Sequence, residues 1–404
     1  MCNDSHLRYL RKLGLAVLAG LLLVAGVVVL ADPYGLYGVV RRPGLNAEKP
    51  VPQHFRNEIK LAGAQRLGAI QFLVGNSRVE VGFDPDSPVL GGDAYNLGLA
   101  GTGIMVAVGQ LRYLRSLGVR PSRVIAGVDF HDALLAPGQR GGARQPPVAG
   151  AAKLGWRLES LFSLAALRDA ATTFAMQGDR EAETMTERGL NPLNQYIKFV
   201  RYDGYHKIFR QRAEENAASL VRKSAGDLDR EGLRAELRAL VDAAAADNPR
   251  VDLRLMVYAY HAQLLALYEA SGLWPRFEEW KRIVLEEAEA ARTRYPLAHI
   301  VVHDFSGFGE FNCEAIPGPN DKGTTHWYWE AGHQKPALGE EMMRRMLSGA
   351  PENGFGMALT AHNLEQDRQR IAAERVACAA AYPALFAGAR DLVARVARRP
   401  GKGL

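Results

Sequence analysis

Cysteine is scarce: Cys2, Cys313 and Cys378 are the only three in 404 residues. No Cys/His spacing among them reads as a zinc site, so no metal or other cofactor is expected. A basic stripe interleaved with aromatics is also missing. The formal net charge is +6, and part of it sits at the ends, on Arg8, Arg11 and Lys12 and on Arg395, Arg398, Arg399 and Lys402. Nucleic acid is therefore not an expected partner. No internal repeat is apparent. What remains is a globular composition, 48% hydrophobic and 23% charged with 41 Gly, long enough for one large domain or two ordinary ones.

Charge is missing altogether from Leu13 to Ala31, a run that just spans a bilayer core. Arg8, Arg11 and Lys12 precede it and Asp32 follows. The positive-inside rule then puts residues 1–12 in the cytoplasm, 13–31 in the inner membrane as a single-pass anchor, and the rest in the periplasm or outside the cell. The rival reading is a cleaved signal peptide, since Val29-Leu30-Ala31 offers small residues at the right offset. Cys2 precedes the apolar run and does not suit a lipoprotein. Cys313 and Cys378 fall beyond it, where a disulfide is permitted. Nothing in the sequence fixes their separation, so a pair and two isolated thiols both stand.

Beyond the anchor, residues 32–68 read as a Gly/Pro-rich connector and a lead-in helix, Phe55 to Leu67. Strands are expected at Ala69–Val74, Ala94–Leu97, Arg123–Asp129, Leu253–Ala259 and His299–Val302. The amphipathic helix Ile104–Leu117, with Val108, Leu111 and Leu114 as its stripe, links the second strand to the third. That alternation indicates a parallel sheet, built from residues 69–150 and 252–347. A Gly/Arg/Pro-rich loop at Gly138–Pro147 opens a helical insertion, 151–251. Its expected helices are Lys153–Met176 and Arg230–Ala246, around a poorly patterned middle from Gln177 to Tyr202. Two helices close the chain in 348–404.

The chemistry gathers at strand ends, where open α/β sheets collect ligands. The apolar run Ile70–Val74 stops at Gly75-Asn76-Ser77-Arg78, so Ser77 is the candidate nucleophile. It needs a base. His333 is the best candidate, and Glu330, three residues before it, is placed to orient the ring and stabilise its cation. Taken alone, Glu330 and His333 are also plain loop residues near a helix start.

These blocks, in this order, resemble the SGNH (GDSL-like) hydrolase superfamily over about residues 69–129 and 252–347. Gly75-Asn76-Ser77-Arg78 resembles the nucleophile block, with Asn76 where Asp is usual. Asn96-Leu97-Gly98-Leu99-Ala100-Gly101-Thr102 resembles the second block, and Glu330-Ala331-Gly332-His333 the last, with Glu for Asp. The resemblance implies a three-layer α/β/α sandwich with a parallel, flavodoxin-like sheet. It implies an oxyanion hole from the backbone of Ser77 and Gly101, with Asn96 as a further donor. The third block departs from the family: Gly127-Val128-Asp129-Phe130 has Asp129 where the family has an Asn that donates to the oxyanion. An ionised carboxylate cannot donate. Either Asp129 is protonated by burial, or another donor such as Asn96 or a backbone N–H replaces it, or the site only binds. Asp129 and His131 also form an Asp-x-His pair, which envelope acyltransferases resembling the alginate O-acetylation proteins use with a separate serine. Their pair precedes the serine; here the order is reversed, so Asp129/His131 is a secondary site.

Arg78 could clamp an anionic substrate, or pair with Glu80 or Asp129. His261, His303 and Asp304 fall at strand ends and are candidates to line the pocket; for His303 a satisfied structural histidine is the commoner outcome. Trp327, Tyr328 and Trp329 suit a sugar-stacking wall or plain loop packing. The expectation is a membrane-anchored serine esterase or O-acyltransferase acting on an envelope or exported polysaccharide. A membrane acyl-export partner would supply it. The alternative is a degenerate carbohydrate-binding accessory of the same system.

Overall fold

The computed structural model describes residues 2–135, 151–348 and 354–398. The loop expected at Gly138–Pro147 lies outside the described residues. The chain is mixed α/β around a mostly parallel sheet. In chain order its strands are β1 (Lys49–Pro50), β2 (Gln71–Val74), β3 (Ala94–Asn96), β4 (Arg123–Val128), β5 (Thr184–Met185), β6 (Asp252–Val257), β7 (His299–Asp304), β8 (Tyr328–Glu330), β9 (His333–Gln334) and β10 (Met357–Leu359). The central sheet runs β10-β7-β6-β4-β2-β3. Its strands are parallel except β10, which pairs antiparallel with β7.

The interior strands are covered on both faces, so they read as continuous apolar runs rather than alternating ones. Phe72, Leu73 and Val74 in β2, Val124, Ile125 and Ala126 in β4 and Leu255, Met256 and Val257 in β6 are all buried. Helix Ile104–Ser116 buries the expected stripe of Val108, Leu111 and Leu114. Gly118, just past its end, takes the left-handed conformation (φ 82°) that stops a helix. This helix packs beside Arg230–Ala245, which in turn packs on Trp274–Arg294.

The strand order reverses at β2. From there the chain goes out to β3, then returns to place β4 on the other flank of β2. The carboxyl ends of β2 and β4 therefore border the crevice where ligands bind in such sheets. Ser77 follows β2, and Asp129 follows β4.

The insertion differs from expectation in three ways. The stretch expected as one helix, Lys153–Met176, is two, Ala151–Phe162 and Leu164–Ala175. Ser163 breaks it, because its hydroxyl accepts the Ala166 N–H (3.1 Å) and caps the second helix. The unpatterned middle leads into a helix, Gln195–Lys223, kinked at Gly204 (φ 72°, ψ 159°). Its first arm is exposed on most sides, at Ile197, Lys198, Phe199, Arg201 and Tyr202, so no clean apolar stripe marked it. Finally, the insertion serves two cores. Leu233, Leu237 and Leu240 join the main core. Trp156, Ala166 and Ala170 join a smaller one with Val28, Ala31 and Tyr34.

That smaller core fixes the end of the N-terminal helix, Cys2–Ala31. Asn46 Nδ2 donates to the carbonyl of Leu30 (2.7 Å), and Lys49 Nζ to that of Ala31 (3.1 Å). The buried Asp32 carboxylate takes the N–H groups of Leu36 (2.8 Å) and Gly38 (2.9 Å). The segment expected as a connector is a folded collar. Cys313 and Cys378 are disulfide-bonded, with their Cα atoms 6.0 Å apart. The bond ties the loop after β7 to helix Leu364–Ala381.

Candidate active site

Strand β2 ends at Gly75, whose φ of 151° is open to glycine. A Cβ there would lie 2.7 Å from both Tyr258 Oη and Val79 Cγ2, so no larger residue fits the turn. Asn76 caps the short helix Ser77–Gly82, its Oδ1 accepting the Arg78 N–H (3.1 Å). Ser77 is thereby held at the first helical position, half-buried.

Glu330 and His333 face each other across a tight antiparallel hairpin formed by β8 and β9, with Ala331-Gly332 as its turn. The sequence spacing is thus realised as a hairpin. Ser77 Oγ lies 2.8 Å from His333 Nε2. His333 Nδ1 is bonded to Glu330 Oε1, and Glu330 Oε2 accepts the Gly332 N–H (2.7 Å). Burial alone would push the Glu330 carboxyl up. The attraction and hydrogen bond of His333, with Arg212 and the Gly332 N–H, overcome this and hold it down at about 2. An ionised Glu330 can only accept, so Nδ1 carries the proton and Nε2 is free to accept from the Ser77 hydroxyl. Gln334 Nε2 donates to the Arg78 carbonyl (3.1 Å) and locks this hairpin to the serine turn.

Asp129 occupies a closed polar cluster. Its Oδ2 takes Asn76 Nδ2 (2.5 Å) and an ion pair from Arg78. Its Oδ1 takes the Tyr260 hydroxyl (2.9 Å) and the His131 backbone N–H (3.0 Å). Burial would push this carboxyl up, but Arg78 and these donors hold it below the usual carboxylate range. Asp129 is therefore ionised and charge-compensated, so the protonated form considered for the third block does not describe it. All four acceptor positions are taken, so nothing remains for the His131 ring. That ring lies 5.6 Å from the Tyr268 ring centre, and burial keeps it neutral, down to about 3. The Asp-x-His pair does not form a dyad. Arg78, its guanidinium 5.2 Å from the Tyr260 ring centre, is buried and engaged with Asp129 rather than offered to a substrate.

Three other expected positions need correction, Asn96, His261 and Asp304, and His303 takes the structural role that was its commoner expectation. Asn96 Nδ2 donates to the carbonyls of Val79 (2.8 Å) and Phe83 (2.8 Å), and its Oδ1 accepts the Gly98 N–H (2.9 Å). Its side chain is spent on holding two loops together and has no donor for an oxyanion. His261 is fully buried, caps helix Ala262–Ala270 through the Gln263 N–H (3.0 Å) and bonds the Glu314 carbonyl (2.9 Å). His303 sits in β7, bonded to the Gly356 carbonyl (3.2 Å). Asp304 makes a buried ion pair with Lys281 (3.0 Å). All three serve the core because strand-end polar groups that find internal partners are drawn inward.

Gly101 (φ 72°) is exposed in the loop after β3. The Leu99 N–H bonds the Gly75 carbonyl (3.0 Å), which brings this loop beside the serine turn. Two buried residues hold it there: Lys60, which sequence reasoning passed over, and Glu80, which it named only as a partner for Arg78. Lys60 Nζ reaches the Gly98 carbonyl (2.5 Å), and Glu80 Oε2 accepts the Ala100 N–H (2.9 Å). The other omission is Arg212, from the insertion helix, whose Nε lies 3.6 Å from Glu330 Oε1. Tyr196, in the same helix, lies 5.6 Å from Trp329 between ring centres, and Lys335 covers the Trp329 ring at 4.8 Å. Nothing in the sequence marks Arg212; it stands half-buried in a charge-rich stretch, Arg210 to Glu215.

No protein-family model, curated protein or solved structure matches this chain.

Proposed function

We propose that the chain is a membrane-anchored serine esterase or O-acyltransferase of SGNH type. Its substrates are acyl esters of an envelope or exported carbohydrate. The observation that carries this reading is the unbroken line Ser77–His333–Glu330, closed by a 2.8 Å contact at the nucleophile. In the reaction, Ser77 Oγ attacks the acyl carbonyl carbon while His333 Nε2 takes its proton. Glu330 holds the Nδ1–H and stabilises the imidazolium. The oxyanion is received by the backbone N–H groups of Ser77 and Gly101. Collapse breaks the ester C–O bond, and His333 returns the proton to the leaving alkoxide. Water or a sugar hydroxyl then attacks the acyl-serine, giving ester hydrolysis or acyl transfer.

A strand order that reverses beside Ser77 supports the finer fold, a doubly wound three-layer sandwich of flavodoxin-like topology. Asp129 favours the second reading, a non-catalytic carbohydrate-binding accessory, to the extent that its charge bears on the oxyanion. Arg78 counters that charge. An activated acyl ester mixed with full-length protein is expected to leave one acyl group on the peptide carrying Ser77, read by intact and peptide mass. No adduct, with measurable glycan binding, would favour the accessory role instead.

For localisation, we read the N-terminal helix as a retained anchor with the sheet domain on the non-cytoplasmic side. Cleavage after Ala31 would strip Val28 and Ala31 from their core and the Leu30 and Ala31 carbonyls from Asn46 and Lys49. The membrane-extracted protein is expected to keep residues 2–31 by mass. A mature chain beginning at Asp32 would overturn this reading.

A further inference from the structure

Leu13 to Ala31 is nineteen residues, a rise of about 28 Å, against a bilayer core about 30 Å thick. If the helix is an anchor, its whole apolar length is needed to cross. Yet its last turns are not bare: Val28 and Ala31 are buried against Ala166 and Ala170 of the insertion. Val28 lies within about one helical turn, roughly 5 Å, of the outer boundary of the core. The paired helices Ala151–Phe162 and Leu164–Ala175 therefore meet the membrane rather than standing off it.

Their surface suits that position. Leu158 and Phe162, one helical turn apart, and Leu164, 84% exposed, flank the bend at Ser163. A second apolar patch is tied to this one. The collar strand β1 pairs with β5, and Thr184 of β5 is bonded to Asn194 (3.2 Å). Asn194 immediately precedes the exposed arm carrying Ile197, Phe199 and Tyr202 alongside Lys198 and Arg201. Aromatics beside basic residues on a short helix are the composition of the lipid headgroup zone. The same arm reaches the catalytic hairpin through Tyr196 and Trp329.

We propose that the insertion is a membrane apron. The Leu158–Leu164 bend and the Gln195–Asp203 arm lie in the headgroup region of the leaflet from which the anchor emerges, and they hold the Glu330–His333 hairpin against the lipid surface. This rests on the reading of the N-terminal helix as a retained anchor.

The test uses full-length protein in vesicles of phosphatidylethanolamine and phosphatidylglycerol. Cys2 is replaced by Ser, and single cysteines at Leu22, Phe162, Leu164, Phe199, Tyr202 and Val376 carry a fluorophore. Val376 is an exposed apolar residue on helix Leu364–Ala381 and serves as the aqueous reference. Labels at 162, 164, 199 and 202 are expected to lose most of their emission to nitroxide lipids and little to aqueous iodide, the reverse of position 376. Labels at these four sites that behave like position 376 would overturn the apron. So would labels shielded from both quenchers, which would mean that a protein surface covers them. The Leu22 label separates the two readings: quenched by lipid, it leaves the anchor standing whatever the apron does; unquenched by lipid, it removes the anchor itself.

Discussion

Ser77→Ala and His333→Ala are each expected to lower ester turnover by about 10⁶-fold, and Glu330→Gln by about 10⁴-fold. The three act as one unit, so combining Ser77→Ala with His333→Ala should cost little more than either alone. The glutamine change is the sharper probe. It keeps the shape of a fully buried side chain and removes the charge that fixes the proton on His333 Nδ1. A neutral amide accepts less strongly and can turn its NH₂ toward the ring, favouring the tautomer that cannot accept from Ser77. Because the wild-type carboxyl is held at about 2, mild acid does not discharge Glu330, and the charge that orients the ring persists there. Ser77→Ala removes a hydroxyl whose hydrogen bond within the fold is to His333, so the unfolding midpoint should barely move. The measurements are hydrolysis of a p-nitrophenyl acetate and labelling by a fluorophosphonate. Labelling that survives Ser77→Ala, or a Glu330→Gln enzyme within tenfold of wild type, would remove the triad.

Much of this site was legible because its signals are local. A strand such as Ile70–Val74 announces itself by its apolar run, and Glu330 and His333 are close enough for their spacing to suggest a partnership. What was not legible is partnership at long range. Asn96 has the residue type of an oxyanion donor, but donor capacity says nothing about where it is spent; here Val79 and Phe83 take it. Asp304 sits at a strand end, as expected, yet the strand is interior to the sheet and its partner, Lys281, turns it into a core group. Arg212 lies past the Gly204 kink, in an arm whose buried face (Phe209, Ala213, Ala217) marks a helix but says nothing of a reach to Glu330. The pairing of Arg78 with Asp129, 51 residues apart, stood among the alternatives for Arg78, but no pattern in either segment chose it over Glu80 or a substrate.

That pair is where the second large effect is expected. Arg78→Met leaves the Asp129 carboxylate, 1% exposed, with only neutral donors, from Asn76, Tyr260 and His131. An uncompensated buried charge of this kind destabilises by about 3–5 kcal/mol. Asp129→Asn should cost about as much, because it strands the guanidinium. The double variant Arg78→Met/Asp129→Asn removes both charges, keeps an amide where the third block of SGNH enzymes carries one, and should recover most of the loss. The pH dependence distinguishes charge from packing. With Arg78 gone, burial raises the Asp129 carboxyl above its unfolded value, so the folded state binds the extra proton. The stability of Arg78→Met should then rise as pH falls through that raised value, and the gain should be complete near the unfolded carboxylate value of about 3.9. In the wild type the sign is opposite, since the paired carboxyl is held low and its contribution is lost on acidification. Urea midpoints across pH would read this. A double variant no more stable than either single, or an Arg78→Met loss that does not shrink in acid, would mean that the pair acts through packing and that Asp129 carries no charge for Arg78 to cancel.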